Sequence, residues 1–209
     1  MSQSDQWQTA LADDNVETLV ATLKTIAKEG KRTHTHLPVP LLTHDDETVR
    51  EQATVCLQAL VLHIIPEKRP AHLLSLVNNA INAERGFVAL ADAEGFQTVA
   101  SHNIKSEAIT HQITQEILKA VREGKERLLT SNTTRDYWNP SDAPPQPDTL
   151  RAVIVVPIIA DNDVISMIYS DTPLKLKAFS ADDLALAQVI VKTVAPLLPP
   201  HLRSQLFSQ

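Results

Sequence analysis

Near the C-terminal end, two apolar runs at residues 152–160 and 164–169 flank the polar turn Asp161-Asn162-Asp163. Both runs are of strand length, rich in Val and Ile, and almost without alternation, which predicts a β-hairpin buried on both faces. Asp and Asn tolerate the left-handed backbone that a tight hairpin turn requires.

Residues 1–65 carry only a helical period. Val16, Leu19, Val20, Leu23 and Ile26 share one face, with Gly30 as the stop. Val49, Ala53, Cys56, Leu57 and Leu60 share another, with Asp45 or Asp46 placed to cap it. The two segments align at an offset of 33, and a short helix is expected before each, around residues 7–11 and 38–42. The run L-L-x-H-D-D-E-x-V-R-x-x-A at 41–53 resembles a HEAT-type helical repeat. A pair of such units cannot bury its apolar faces alone. The pair is expected either as an adaptor surface or as a plain helical bundle capping the second half.

Pro66-Glu67-Lys68-Arg69-Pro70 interrupts the helical pattern and marks a boundary. The order then becomes helix, strand, strand, helix, strand, long loop, strand, strand, helix. Leu73, Leu74, Val77, Ala80 and Ile81 predict the first helix, and residues 86–90 and 96–101 a hairpin around Asp92-Ala93-Glu94-Gly95. Ile109, Ile113, Ile117 and Val121 predict one continuous helix ending at a C′ glycine, Gly124. Residues 127–130 read as a short strand. Ser180-Ala181-Asp182-Asp183 reads as a capping box for the last helix, which Pro196 ends.

Composition narrows the function. The 209 residues are 43% hydrophobic and carry a net charge of −6, without the basic surplus of a nucleic-acid binder. No apolar run approaches the ~20 residues of a membrane span, and the polar N-terminus is unlike a secretory signal. A single cysteine, Cys56, allows neither an internal disulfide nor a cysteine-based zinc site. A cytoplasmic protein is expected, with Cys56 as an inert core thiol. The phosphate-binding glycine motifs, the hydrolase elbow and the zincin helix are missing from the sequence.

Several local signatures then fall in a familiar order. Ala83-Glu84-Arg85-Gly86-Phe87-Val88, the run Leu150-Arg151-Ala152-Val153-Ile154-Val155-Val156-Pro157-Ile158, Ile168-Tyr169-Ser170-Asp171, and Phe179-Ser180-Ala181-Asp182-Asp183-Leu184 together resemble the GAF domain family over residues 70–198. The resemblance implies an α+β fold: a central antiparallel sheet flanked by helices, here preceded by an all-helical segment at 1–65 and followed by a tail at 199–209. It also implies a ligand pocket between the central strands and a roof formed by residues 101–110 and the loop 133–149. Cysteines used by bilin-binding and methionine sulfoxide reductase relatives are missing from the domain. Asp171-Thr172 stands where cyclic-nucleotide relatives carry N-K.

The loop 133–149 is long, holds four prolines, and carries Tyr137 and Trp138. Its aromatics either stack on a planar ligand or pin the loop to the domain. His102 and His111 either face the pocket or are satisfied surface histidines. Arg151 enters a buried strand from this loop, either as an anchor for an anionic ligand or paired with an acidic loop residue such as Asp148. His34 and His36 lack further ligands at metal spacing, and no metal or other cofactor is expected. On the last helix, Leu184, Ala187, Ile190, Val191 and Val194 form an apolar band that is expected at a homodimer interface.

The expected function is a regulatory or adaptor protein that catalyses nothing and acts in trans on another signalling or output protein. The tail at 199–209 is too short for an output domain. The alternative is a sensor of a small molecule, nucleotide-like or a metabolite, bound under the 133–149 loop.

Overall fold

The structure is a computed structural model that describes residues 2–93, 95–133, 136, 151–173 and 178–199. The chain divides into two compact units, one of Met1–Arg69 with Lys192–Leu198, the other formed by Pro70–Val191.

The first unit is helical among its described residues: α1 (Gln3–Ala10), α2 (Val16–Glu29) and α3 (Glu47–Leu62), with 3-10 turns at Arg32–His34 and Val39–Thr43. Each helix starts at a side-chain cap. Ser2 and Asp5 bond reciprocally ahead of α1, Asn15 accepts from the Thr18 amide, and Asp46 accepts from the Val49 amide. α2 buries Leu19, Leu23 and Ile26, while α3 buries Val49, Ala53, Cys56, Leu57, Leu60 and Val61. α2 stops at Gly30, where a Cβ would collide with the Ile26 carbonyl oxygen and lie 2.6 Å from Leu60 Cδ2. Trp7 is buried with its ring edge-on to His34 at 5.1 Å. Gln58 Nε2 donates to the Thr193 carbonyl and Arg69 Nη1 to that of Leu197. The two sequence-similar segments differ in their lead elements: an eight-residue α-helix precedes α2 and a five-residue 3-10 turn precedes α3. Pro38 and Pro40 account for this, since each lacks the amide hydrogen an α-helix would use.

The second unit carries most of α4 (Arg69–Ala80) and of α7 (Ala181–Val194), and between them β1 (Arg85–Ala91), β2 (Phe96–His102), α5 (Ser106–Thr110), α6 (Gln112–Gly124), β3 (Leu128–Thr130), β4 (Arg151–Ala160) and β5 (Asp163–Pro173). The strands form one antiparallel sheet in the order β2-β1-β5-β4-β3. β4 and β5 join through Asp161 (φ 49°) and Asn162 (φ 66°), both left-handed, and are buried on both faces. Behind the sheet lies α4: a Cβ on Gly86 would meet Leu74 and Asn78, and Ser170 Oγ donates to Asn78 Oδ1 at 2.7 Å. In front lies α6, whose Ile113, Ile117, Leu118 and Val121 pack with Phe87, Val153, Val155, Met167 and Tyr169.

The helix expected as continuous through residue 109 is broken. α5 ends at Thr110, and His111 turns the chain and caps α6, its Nδ1 accepting from the Ile113 amide at 3.3 Å. Gly124 is the last helical residue, and Lys125 (φ 54°) takes the left-handed position instead. The Ser180/Asp183 pair forms the reciprocal cap: Ser180 N donates to Asp183 Oδ2 at 2.8 Å, and Asp183 N donates to Ser180 Oγ at 3.1 Å. On α7, Ala187, Ile190, Val191 and Val194 are buried within a single chain, and Leu184 is half-buried. No helix among the described residues is long and apolar enough to cross a membrane.

Candidate functional site

Alternation along β1, β4 and β5 brings Arg85, Phe87, Arg151, Val153, Tyr169 and Asp171 to the α6 side of the sheet. The lower part of this face is apolar. Its upper end holds charge. Asp171 is fully buried opposite Arg85, which donates from Nε to Oδ1 at 2.5 Å and from Nη2 to Oδ2 at 3.2 Å. Tyr169 donates its hydroxyl to Oδ2 at 3.0 Å, and Arg151 Nη1 lies 3.6 Å from the same oxygen. One carboxylate thus gathers two guanidinium groups and a phenol, the number of donors a buried carboxylate needs.

Arg151 extends the cluster to the helices. It is 1% exposed, and its Nη2 donates to Thr114 Oγ1 at 2.7 Å. Thr114 in turn donates to the Ala108 carbonyl in α5, at 2.8 Å. The Nε of Arg151 is buried without a hydrogen-bond partner among the described residues. Phe87 stacks on Tyr169 with centroids 4.6 Å apart and planes 23° apart. Burial holds the Tyr169 hydroxyl protonated well above its ordinary range, and the adjacent Asp171 carboxylate pushes in the same direction.

Of the residues singled out from the sequence, Arg151 lies at the centre of this cluster. The ion pair the structure describes for it is with Asp171 on β5; Asp148 lies outside the described residues. His102 is exposed at the end of β2, its Nε2 3.0 Å from Asn103 Nδ2. It lines an open crevice of about 540 Å³ with Glu84, Arg85, Asn103 and Pro173. Arg85 therefore reaches both the crevice beside His102 and the buried Asp171. His111 serves as a helix cap. Tyr137 and Trp138 lie outside the described residues.

Asp171, Arg85, Tyr169 and Thr114 were not singled out as site residues from the sequence, although the first three stand in the quoted motifs. The available signal was a charge rule: Arg85, Arg151 and Asp171 lie in or beside strands buried on both faces, where a charge must be paired. No group of three or more His, Cys, Asp or Glu among the described residues is placed to hold a metal ion.

The comparisons agree with this architecture. A family model described as GAF domain matches residues 71–198. Among solved structures, the chain is similar to the GAF domain/HD domain protein from Geobacter sulfurreducens, at 17% identity and a TM-score of 0.50 over 68% of this chain and 94% of that one. It is similar to fRMsr of Staphylococcus aureus in complex with substrate, at 14% identity and 0.50, over 80% and 95%. It is also similar to the GAF domain of a phosphoenolpyruvate-protein phosphotransferase from Coxiella burnetii, at 12% and 0.50, over 83% and 97%. At these identities the likeness is one of fold. No curated protein compared with the chain matches it. The family match spans more than half of the sequence and coincides with the sheet and its helices, and the chain belongs to the GAF domain family.

Proposed function

We propose that this chain is a regulatory adaptor without catalytic activity, whose GAF domain acts on another signalling protein in trans. One observation carries this reading. The sheet face beneath α6 is filled by the chain's own side chains, with Phe87, Val153, Val155, Met167, Tyr169, Ile117 and Leu118 all 0% exposed. At the charged end of the same face, Asp171 bonds inward to Arg85 and Tyr169. A face filled by buried side chains offers a ligand little volume, which favours action through protein contact. The test is affinity capture of the full chain from its native host, followed by titration of the purified partner. Saturable binding that changes the partner's output supports the reading; a partner whose output is indifferent to the chain counts against it.

The sensor alternative is favoured by a different observation, the buried Arg151 Nε without a described acceptor. An unmade bond of this kind costs on the order of 1–3 kcal/mol, which an incoming anionic ligand would relieve. Tryptophan fluorescence of the full chain carrying Trp7→Phe, titrated with a nucleotide and metabolite panel, reads Trp138 directly. A saturable change lost in Arg151→Met would support the sensor reading; a flat response across the panel would leave it unsupported.

A further inference from the structure

We propose that residues 200–209 fold back along α3 as a strap and close over an apolar stripe on its outer face. This goes beyond the adaptor reading and stands independently of it.

Three of the large hydrophobic residues exposed among the described ones fall within a short stretch: Val55 at 53%, Leu62 at 58% and Ile65 at 56%. Val55 and Leu62 stand seven apart on α3, two helical turns along one face, with half-buried Ala59 between them. Ile65 follows just past the helix end. The inner face of α3 is already buried through Ala53, Cys56, Leu57 and Leu60. Scattered exposed apolar residues need no explanation, but an aligned run of them marks a contact.

The course of the chain says what makes that contact. Gln58, a helical neighbour of both Val55 and Leu62, donates from Nε2 to the Thr193 carbonyl at 3.1 Å. Arg69 donates from Nε to the Ile64 carbonyl at 2.9 Å and from Nη1 to the Leu197 carbonyl at 2.6 Å. The segment Lys192–Leu198 thus belongs to the same compact unit as α3 and leaves it beside Ile64, at one end of the stripe. Residues 200–209, PHLRSQLFSQ, come next and lie outside the described residues. They carry no acidic group, and Leu202, Leu206 and Phe207 are apolar, the two leucines one helical turn apart. Pro200 suits the first turn of a helix. Ten residues span about 15 Å as a helix and about 33 Å extended, and Leu62 to Val55 is about 11 Å along α3. The strap therefore reaches the whole stripe, running antiparallel to α3, with Leu202 toward Ile65 and Leu62 and Leu206 with Phe207 toward Val55.

A second copy competes poorly for the same face. A tethered segment acts at an effective concentration on the order of millimolar, well above a protein at micromolar concentration. Three exposed side chains on one helix also fall short of the roughly 800 Å² per partner of a standard interface.

The test places benzoylphenylalanine in place of Phe207 in the purified full chain, irradiates it at low micromolar concentration and maps the crosslinks of the monomer by mass spectrometry. Crosslinks are expected within residues 51–62 of the same chain. Val55→Asp with Leu62→Asp should reduce them at least fivefold, and Thr98→Asp on β2 less than twofold. All three positions are exposed, and an unchanged circular dichroism spectrum with a single cooperative melt excludes misfolding of either variant. Crosslinks to another part of the chain, crosslinks that survive the two aspartates, or no crosslink at all would overturn the strap. Crosslinks found only in a dimer would overturn it in favour of self-association. Every arm uses the purified chain alone, so failure of the adaptor reading leaves this result unaffected, and failure of the strap leaves the adaptor reading intact.

Discussion

Arg85 and Asp171 face each other across β1 and β5, and the guanidinium grips both carboxylate oxygens, at 2.5 and 3.2 Å. The pairing ties the first strand of the domain to the last one, while Arg151 links the same carboxylate to α6 through Thr114. Removing the carboxylate strands two buried or half-buried cations; removing Arg151 leaves Asp171 still held by Arg85 and Tyr169. Asp171→Asn should therefore destabilise the chain by about 3–5 kcal/mol, as broken buried pairs do. Arg151→Met should cost under about 2 kcal/mol, because an apolar replacement also removes the unpartnered Nε. Urea unfolding of the two variants checks the order. An Arg151→Met loss equal to that of Asp171→Asn would mean that Arg151, and not Arg85, is the principal partner.

The hairpin of β4 and β5 was legible because both strands are apolar on both faces and the turn is built from residues that accept positive φ. The capping box at Ser180 was legible for a similar reason: spacing alone sets its geometry. The break at His111 was not. Ile109, Ile113 and Ile117 keep a helical period across it, and only the cap made by a histidine ring, an uncommon N-cap, divides the helix in two. Arg151 was legible as a site residue, but its partner was sought in the adjacent loop and not on a strand about twenty residues away in sequence. Sheet register, which sequence periodicity does not give, brings Asp171 to it. The apolar band of α7 announced burial, and Ala187, Ile190, Val191 and Val194 are buried.

Glycine positions separate close packing from open space. A Cβ at Gly30 would strike the Ile26 carbonyl and Leu60, whereas one at Gly124 meets nothing within 4 Å. Gly30→Ala is expected to cost about 1–3 kcal/mol through overpacking. Gly124→Ala, at the last helical position, should add about 0.4–1 kcal/mol. Thermal melts of the two variants should move in opposite directions.

Cys56 is buried on α3, and burial pushes its thiol from 9.0 up to about 12. The folded state thus holds the proton more tightly than the unfolded state. The associated stability is fully present below pH 9 and is lost as the pH rises through 12. Relative to Cys56→Ala, the wild-type chain should lose about 1 kcal/mol per pH unit above 9. Urea titrations at pH 8 and 10.5 measure this difference. Native Cys56 should also resist a thiol reagent at pH 8 until the chain is unfolded; rapid labelling of the folded chain would contradict its place in the core.

The α6 side of the sheet is occupied by the protein's own side chains, and on the proposed reading the chain acts through protein contact. Native mass spectrometry of the full chain purified gently from its native host tests this most directly. The expected result is the mass of the polypeptide alone, or of the polypeptide with a protein partner. A stoichiometric small molecule that is released on denaturation and lost in Arg151→Met would contradict the claim and establish the domain as a ligand sensor.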